Sequence, residues 1–384
     1  MAARRWGRQV DVRDRPLSVV VLAAGEGTRM HSSRPKALHL LCGRAMLLYV
    51  LDSLADCRTG RVVVVVGHGA ERVTKKLQSE APDLLLDFVE QHVQRGTGDA
   101  VSVGLTAFPD DPDDGADHED ILVLPGDTPL LRPSTVAALV TAHRGAAAAC
   151  TVLTARFADP TGYGRIIRGK DGRVARVVEQ ADATPDELAI DEINTSIYCF
   201  RRSVLAPALR RLSPENAQGE YYLTDVVAVL HDAGYGVTAH QAADEFETHG
   251  VNDRVQLATA EAELRRRTNE GWLRRGVTML DPLRTYIDAT VRLAPDVTLF
   301  PGTILQGQTV VGERAELGPD TRLVDCVVGV DAVIEKSVGR DAEVGEGARV
   351  GPFAVLQPGA SIADGAVTGP FYTAAGPDDG PSRR

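Results

Sequence analysis

Val19-Val20-Val21-Leu22-Ala23-Ala24-Gly25-Glu26-Gly27-Thr28-Arg29-Met30, followed after a polar gap by Arg34-Pro35-Lys36, is the stretch on which the reading of this chain turns. Four consecutive β-favouring apolar residues predict a buried strand. The small residues and two glycines after it let the backbone turn tightly and approach a ligand closely. Successive N–H groups in such a turn form an anion-binding concavity. Arg29 and Lys36 add two cations that no nearby carboxylate except Glu26 neutralises. The stretch therefore predicts a phosphate site, although Gly25 and Gly27 alone fit an ordinary strand-to-helix turn equally well. A Rossmann fingerprint is disfavoured because Met30 stands where a third small residue belongs, and a P-loop because Gly-Lys-Ser/Thr is absent.

At 384 residues the chain is long enough for two domains, each with its own core. Aromatic residues are only 5%, so those cores must be mainly Val, Leu, Ile and Ala. A net charge of −11 offers no electrostatic footprint for nucleic acid. An anionic small ligand then needs a local cationic pocket, which Arg29 and Lys36 supply. The five cysteines, Cys42, Cys57, Cys150, Cys199 and Cys326, are odd in number and never spaced Cys-x-x-Cys. They suit a reducing cytoplasm and argue against disulfides or zinc. Residues 1–16 carry five arginines without an apolar run and read as a flexible leader, not a signal peptide. No run approaches the length of a membrane span.

Helix and strand patterns alternate after the opening strand. Helices are expected over 45–55, 71–77, 99–107 and 133–143, and strands over 61–66, 84–89 and 121–124, which points to a mostly parallel sheet covered on both faces. Ligands of such sheets sit at the carboxyl ends of the strands. The acid-rich stretch 110–120 reads as a solvated loop. Short strands over 151–155, 173–178 and 193–200 read as a lobe laid beside the first sheet, and 257–267 as a charged connecting helix.

From Leu293 a six-residue period takes over. Leu293, Leu299, Leu305, Val311, Leu317 and Leu323 recur, with Val297, Thr303, Thr309, Ala315, Thr321 and Val327 four places after each. After one slip the pattern resumes through Val328, Ile334, Val338, Val344, Val350, Leu356 and Ile362. This is the signature of a parallel β-helix, a stacked module whose outer faces commonly pack into oligomers.

Within the first domain, Gln91 and Arg95-Gly96-Thr97-Gly98-Asp99 offer donors for a nucleotide base, or equally a helix cap at Thr97. Leu124-Pro125-Gly126-Asp127 places a carboxylate at the end of a buried strand, suited to holding Mg²⁺ against a triphosphate. Gly164, Glu179 and Asn194 offer close backbone approach, a carboxylate and a carboxamide, the groups a sugar requires. Asn252 adds an oxygen ligand late in the domain.

In this order the segments resemble the bacterial bifunctional N-acetylglucosamine-1-phosphate uridylyltransferase/glucosamine-1-phosphate acetyltransferase family. The resemblance runs from Ser18 to Ile362 and includes Asp159-Pro160-Thr161-Gly162-Tyr163-Gly164-Arg165 and Asn216-Ala217-Gln218-Gly219-Glu220-Tyr221-Tyr222. It implies a Rossmann-like α/β nucleotidyltransferase domain with a mostly parallel sheet, then a short left-handed parallel β-helix. The implied bounds are a leader at 1–16, the nucleotidyltransferase domain at 17–255, a helical connector at 256–288, the β-helix at 289–368 and a disordered tail at 369–384.

By this resemblance Arg29 and Lys36 contact phosphates, and Leu22, Ala23, Ala24, Gly25, Gln91, Gly96 and Thr97 the nucleotide. Asp127 and Asn252 hold Mg²⁺, while Gly164, Glu179 and Asn194 hold N-acetylglucosamine. The implied reaction joins UTP and N-acetylglucosamine-1-phosphate with release of pyrophosphate, in a cytoplasmic homotrimer with no nucleic-acid or membrane partner. Another nucleotide or a hexose or cyclitol phosphate is an alternative, as is a non-catalytic nucleotide-sugar-binding scaffold. Two departures stand out. Pro125 takes the place of a tyrosine common in the family, and the acetyltransferase half reads as truncated, with no histidine after His249.

Overall fold

The structure is a computed structural model that describes residues 15–108 and 119–374. The expected leader through residue 14, the acidic stretch through residue 118 and the tail from residue 375 lie outside the described residues.

Strand β1 (Leu17–Ala23) is buried on both sides, because Val19 and Val21 belong to one apolar cluster and Val20 to another. Alternation of side chains along a strand sends them to opposite faces, and each face needs its own cover. One cluster takes in α1 (Met46–Asp52), α2 (Ala70–Glu80) and α4 (Pro133–Gly145). The other takes in α3 (Thr97–Leu105), α5 (Arg202–Leu209) and α6 (Asp225–Asp232).

The remaining strands are β2 (Thr59–Val66), β3 (Leu86–Glu90), β4 (Asp120–Pro125), β5 (Cys150–Arg156), β6 (Arg165–Arg168), β7 (Val174–Val178), β8 (Glu192–Arg201) and β9 (Val237–Gln241). They lie in the order β9-β5-β8-β4-β1-β2-β3, with the β6–β7 hairpin branching from β8. β1 is parallel to β2 on one side and β4 on the other. The winding therefore reverses between β1 and β4, and the carboxyl ends of these two strands flank a crevice.

Three expectations need correcting here. The strands after residue 150 are not a separate lobe but extend the same sheet, because β8 pairs antiparallel with both β4 and β5. Leu84 and Leu85 lie outside β3, whose pairing starts at Leu86 opposite Val62; Leu85 is 90% exposed. The sequence reading also passed over β6, β9, α5 and α6.

A second compact unit begins at Ala258 and takes in Leu40–Arg44. Its helix α7 (Arg254–Leu273) outruns the expected 257–267 at both ends. Stacked parallel strands follow in three sheets of five, six and five strands, an arrangement that fits a left-handed β-helix. The coils begin at Thr278–Met279, not at residue 289, and reach Thr373–Ala374, which pairs with Val355–Leu356 in a region expected to be disordered.

Two positions were misread because three hexapeptides are one residue short. Register aligns Leu323 with Gly339 and Leu356, so Gly339 faces inward and Val338 is 51% exposed. Likewise Cys326, not Val327, is buried at the small position. The space at Gly339 is taken by Leu323 and the Cys326 thiol. Several corners are aspartates at positive φ, including Asp320, Asp325, Asp331 and Asp341, a conformation this residue tolerates better than most.

Candidate functional site

The chain leaves β1 as a loop, not as the strand-to-helix turn allowed by the sequence. Single 3₁₀ turns at Thr28–Met30 and Lys36–Leu38 follow, so the free donors are loop amides and side chains. Gly27 has φ 67°, and a Cβ there would lie 2.7 Å from Lys36 Cβ. Glycine thus permits both the left-handed turn and the fold of the loop over Lys36. Gly25 is different, since a side chain there would meet nothing within 4 Å. The loop is tied down by Arg254, which donates to the Met30 carbonyl at 3.1 Å and to His39 Nδ1 at 3.2 Å. Burial, helped by the Arg254 charge, holds the His39 pKa down and keeps the imidazole neutral as an acceptor.

On the other side of the crevice, the Gly126 N–H donates to the Leu22 carbonyl at 2.8 Å, and a Cβ at 126 would crowd that oxygen at 2.9 Å. This close approach sets Asp127 against the end of β1. The Val251 N–H then donates to the Asp127 carbonyl at 2.8 Å and brings Asn252 alongside. The Lys36 ammonium bridges the Asp127 carboxylate and Asn252 Oδ1, the latter at 2.8 Å, and Arg29 Nη2 donates to the same amide oxygen at 3.1 Å.

Asp127 and Asn252 thus converge their oxygens on one cation, here an ammonium. Two hard oxygen donors fit Mg²⁺, which takes one or two protein ligands and completes its shell with phosphates and water. Among the described residues no cluster of three His, Cys, Asp or Glu side chains offers a fuller metal site.

Gln91 is buried and donates from Nε2 to Asp99 Oδ2 at 2.7 Å and to the Gly96 carbonyl at 3.3 Å. Gly96 has φ 111°, and a Cβ there would sit 2.6 Å from the Tyr221 carbonyl. The helix-cap reading of Thr97 is not borne out. Gly96 occupies the cap position of α3, and the Thr97 hydroxyl accepts from the Leu223 N–H at 3.0 Å.

On the third wall, burial, with the Asp225 and Asp182 charges behind it, pushes the Glu179 carboxyl pKa up against the opposing Thr224 hydroxyl, which donates at 3.1 Å. A Cβ on Gly164 would come within 3.3 Å of that carboxylate. Asn194 Oδ1 accepts from the Ser196 N–H at 3.1 Å.

These groups enclose a cavity of about 450 Å³. Of the residues named from sequence, Leu22, Ala24, Gly25, Arg29, Gln91, Gly96, Thr97, Asp127, Gly164, Glu179, Asn194 and Asn252 line it. Ala23 and Lys36 stand behind the lining, against Gly126 and against the Asp127–Asn252 pair. Sequence reasoning missed Gln94, Tyr163, Tyr198 and Thr224, which line it too. Thr224 follows the quoted Asn216 to Tyr222 string closely enough to have been noticed. Tyr198, one aromatic residue in an apolar strand, gave no signal. A wider, shallower depression beside Leu85 and Phe88 gathers none of these groups.

Comparison with known proteins bears on both halves of the chain. Residues 19–232 match the family model of the MobA-like NTP transferase domain. The chain is 48% identical over 331 residues to the Bifunctional protein GlmU of Thermobifida fusca, a match covering 85% of this chain and 67% of that protein. It is 46% identical over 360 residues to the protein of the same name from Mycolicibacterium vanbaalenii, covering 93% and 72%. The counterpart from Heliobacterium modesticaldum is 44% identical over 354 residues, covering 92% and 75%.

Proposed function

The chain belongs to the family of the bifunctional GlmU proteins, with their NTP transferase domain, and we propose that its cavity transfers a uridylyl group from UTP to N-acetylglucosamine-1-phosphate. A phosphate oxygen of the sugar phosphate attacks the α-phosphorus of UTP. The bond from that phosphorus to the bridging oxygen breaks, and pyrophosphate leaves. There is little covalent work for the protein in such a step, so its task is to position the two anions and offset their charge.

The observation that carries this reading is the convergence of Arg29, Lys36, Asp127 and Asn252 at the carboxyl ends of β1 and β4. Arg29 and Lys36 neutralise the phosphates. Mg²⁺, held by Asp127 and Asn252, would supply a further positive charge to the triphosphate. With Asp127 and Asn252 so engaged, the Lys36 ammonium would pair with phosphate instead. Gly25 has open space over it, which leaves room for the nucleotide beside Leu22, Ala23, Ala24, Gln91, Gly96 and Thr97. Gly164, Glu179 and Asn194 receive the acetamido sugar. A non-catalytic scaffold would have no use for Lys36 and Asp127 in this arrangement.

Pro125 in the cavity wall favours a second reading of the acceptor alone, a related hexose or cyclitol phosphate. Pyrophosphate release across a matrix of nucleoside triphosphates and sugar phosphates distinguishes the two.

The β-helix, in this proposal, assembles the protein as a homotrimer. In the same proposal the coils carry no acetyl-transfer centre, since no histidine follows His249 in this sequence. A cytoplasmic setting is part of this proposal, and the five cysteines stand as free thiols.

A further inference from the structure

Tyr198 lies on β8 with its ring in the core, stacked on Phe200 at 5.4 Å and 0% exposed. Its hydroxyl is buried and has no hydrogen-bond partner among the described residues. An unpartnered buried hydroxyl is destabilising, and phenylalanine would fill the same volume without that cost. Packing therefore gives no reason for the O–H.

The cavity does give one. Tyr198 borders it on the wall that holds Gly164, Glu179, Asn194 and Thr224. Burial, and behind it the Glu179 charge, pushes the phenol pKa up, while the Asn194 carboxamide opposes the shift. The Asn194 carboxamide therefore stands near the hydroxyl, but outside normal hydrogen-bond geometry.

The strand itself is distorted at this point. The pairing of β8 with β5 slips between Asn194 and Tyr198, and Ser196 within the slip has φ 61°. That is a left-handed conformation which a serine holds only under constraint. The Asn194 carboxamide oxygen fixes it by accepting from the Ser196 N–H. Bulges of this kind re-aim side chains next to sites, and this one brings both Asn194 and Tyr198 to the cavity wall.

Resting on the assignment of this wall to the sugar, we propose that Tyr198 is a positioning residue for the sugar phosphate. When a hexose engages Glu179 and Asn194, one of these side chains moves within reach of the phenol, and the O–H that is unpartnered in the free protein becomes a donor. The free state carries the unsatisfied group and the bound state satisfies it. That difference adds to the affinity for the sugar and not to the affinity for the nucleotide.

Tyr198→Phe removes only the hydroxyl. The expected result is a rise of about tenfold in KM for N-acetylglucosamine-1-phosphate with KM for UTP unchanged. The thermal midpoint of the free protein should stay level or rise by about 2–4 °C. An unchanged sugar KM overturns the proposal. So does an equal rise for both substrates with a lowered midpoint, which marks a merely structural role. Glu179→Gln, measured in parallel, separates the two layers. If it raises the sugar KM and Tyr198→Phe does not, the positioning role fails and the sugar wall stands. If neither variant moves it, the sugar wall fails and takes the positioning role with it.

Discussion

Lys36 illustrates how a single residue is held ready by its neighbours. Its ammonium is shared by Asp127 and Asn252, and Gly27 arches over its side chain. Lys36→Ala and Arg29→Ala should each lower pyrophosphate release by orders of magnitude, on the scale of roughly 2–4 kcal/mol apiece, through lost neutralisation of phosphate. Parent-like rates in either variant would make the loop structural. Glu179 lends itself to a different test, because burial raises its pKa in the folded protein. A carboxyl whose folded pKa lies above its unfolded value binds protons more tightly when folded. Its stabilising contribution is then complete at acid pH and is lost as pH rises through the folded pKa. Glu179→Gln should thus gain in thermal midpoint over the parent at neutral pH, and the gain should shrink on acidification. A difference independent of pH contradicts the assignment. Arg29, Lys36 and Asp127 were legible in the sequence because each lies near a strand end within a short motif. Tyr198 was not, since only the register of β8 brings it to the cavity, whereas Thr224, at the start of α6, stands two residues past a quoted motif.

At the scale of elements, the valine runs of β1 and β2 and the six-residue period were enough to read a covered parallel sheet and a β-helix. Both are repeating patterns, and repetition survives local noise. What stayed hidden were departures from repetition. The antiparallel insertion of β8 between β4 and β5 depends on pairing across distant sequence, and the shortened hexapeptides differ from regular ones by a single residue. The outward faces of the coils also expose Val310, Val327, Val338 and Val355, each 40% or more accessible. Apolar side chains on flat stacked strands are suited to side-by-side packing. We expect light scattering to give the mass of three chains at micromolar concentration, and Val338→Asp with Val355→Asp to lower it; a monomeric parent would count against the trimer.

For the molecule as a whole, the two units carry different loads. The sheet unit gathers the charged and polar groups of the cavity. The coils bury one aliphatic column and contain no histidine. Acetyl transfer to an amine calls for a base near neutral pH, usually histidine. The 384-residue protein incubated with acetyl-CoA and glucosamine-1-phosphate should therefore release no free CoA above background, and protein-dependent release would reveal a centre in the coils. The central claim, however, rests on the crevice at β1 and β4. Its most direct test is Mg²⁺-dependent pyrophosphate release from UTP and N-acetylglucosamine-1-phosphate by the parent and by Asp127→Asn at matched thermal stability. The account predicts turnover by the parent and its loss in the variant, because the carboxylate's negative charge and one of its two oxygens are lost while core volume does not change; near-parent, metal-dependent turnover by Asp127→Asn would contradict it.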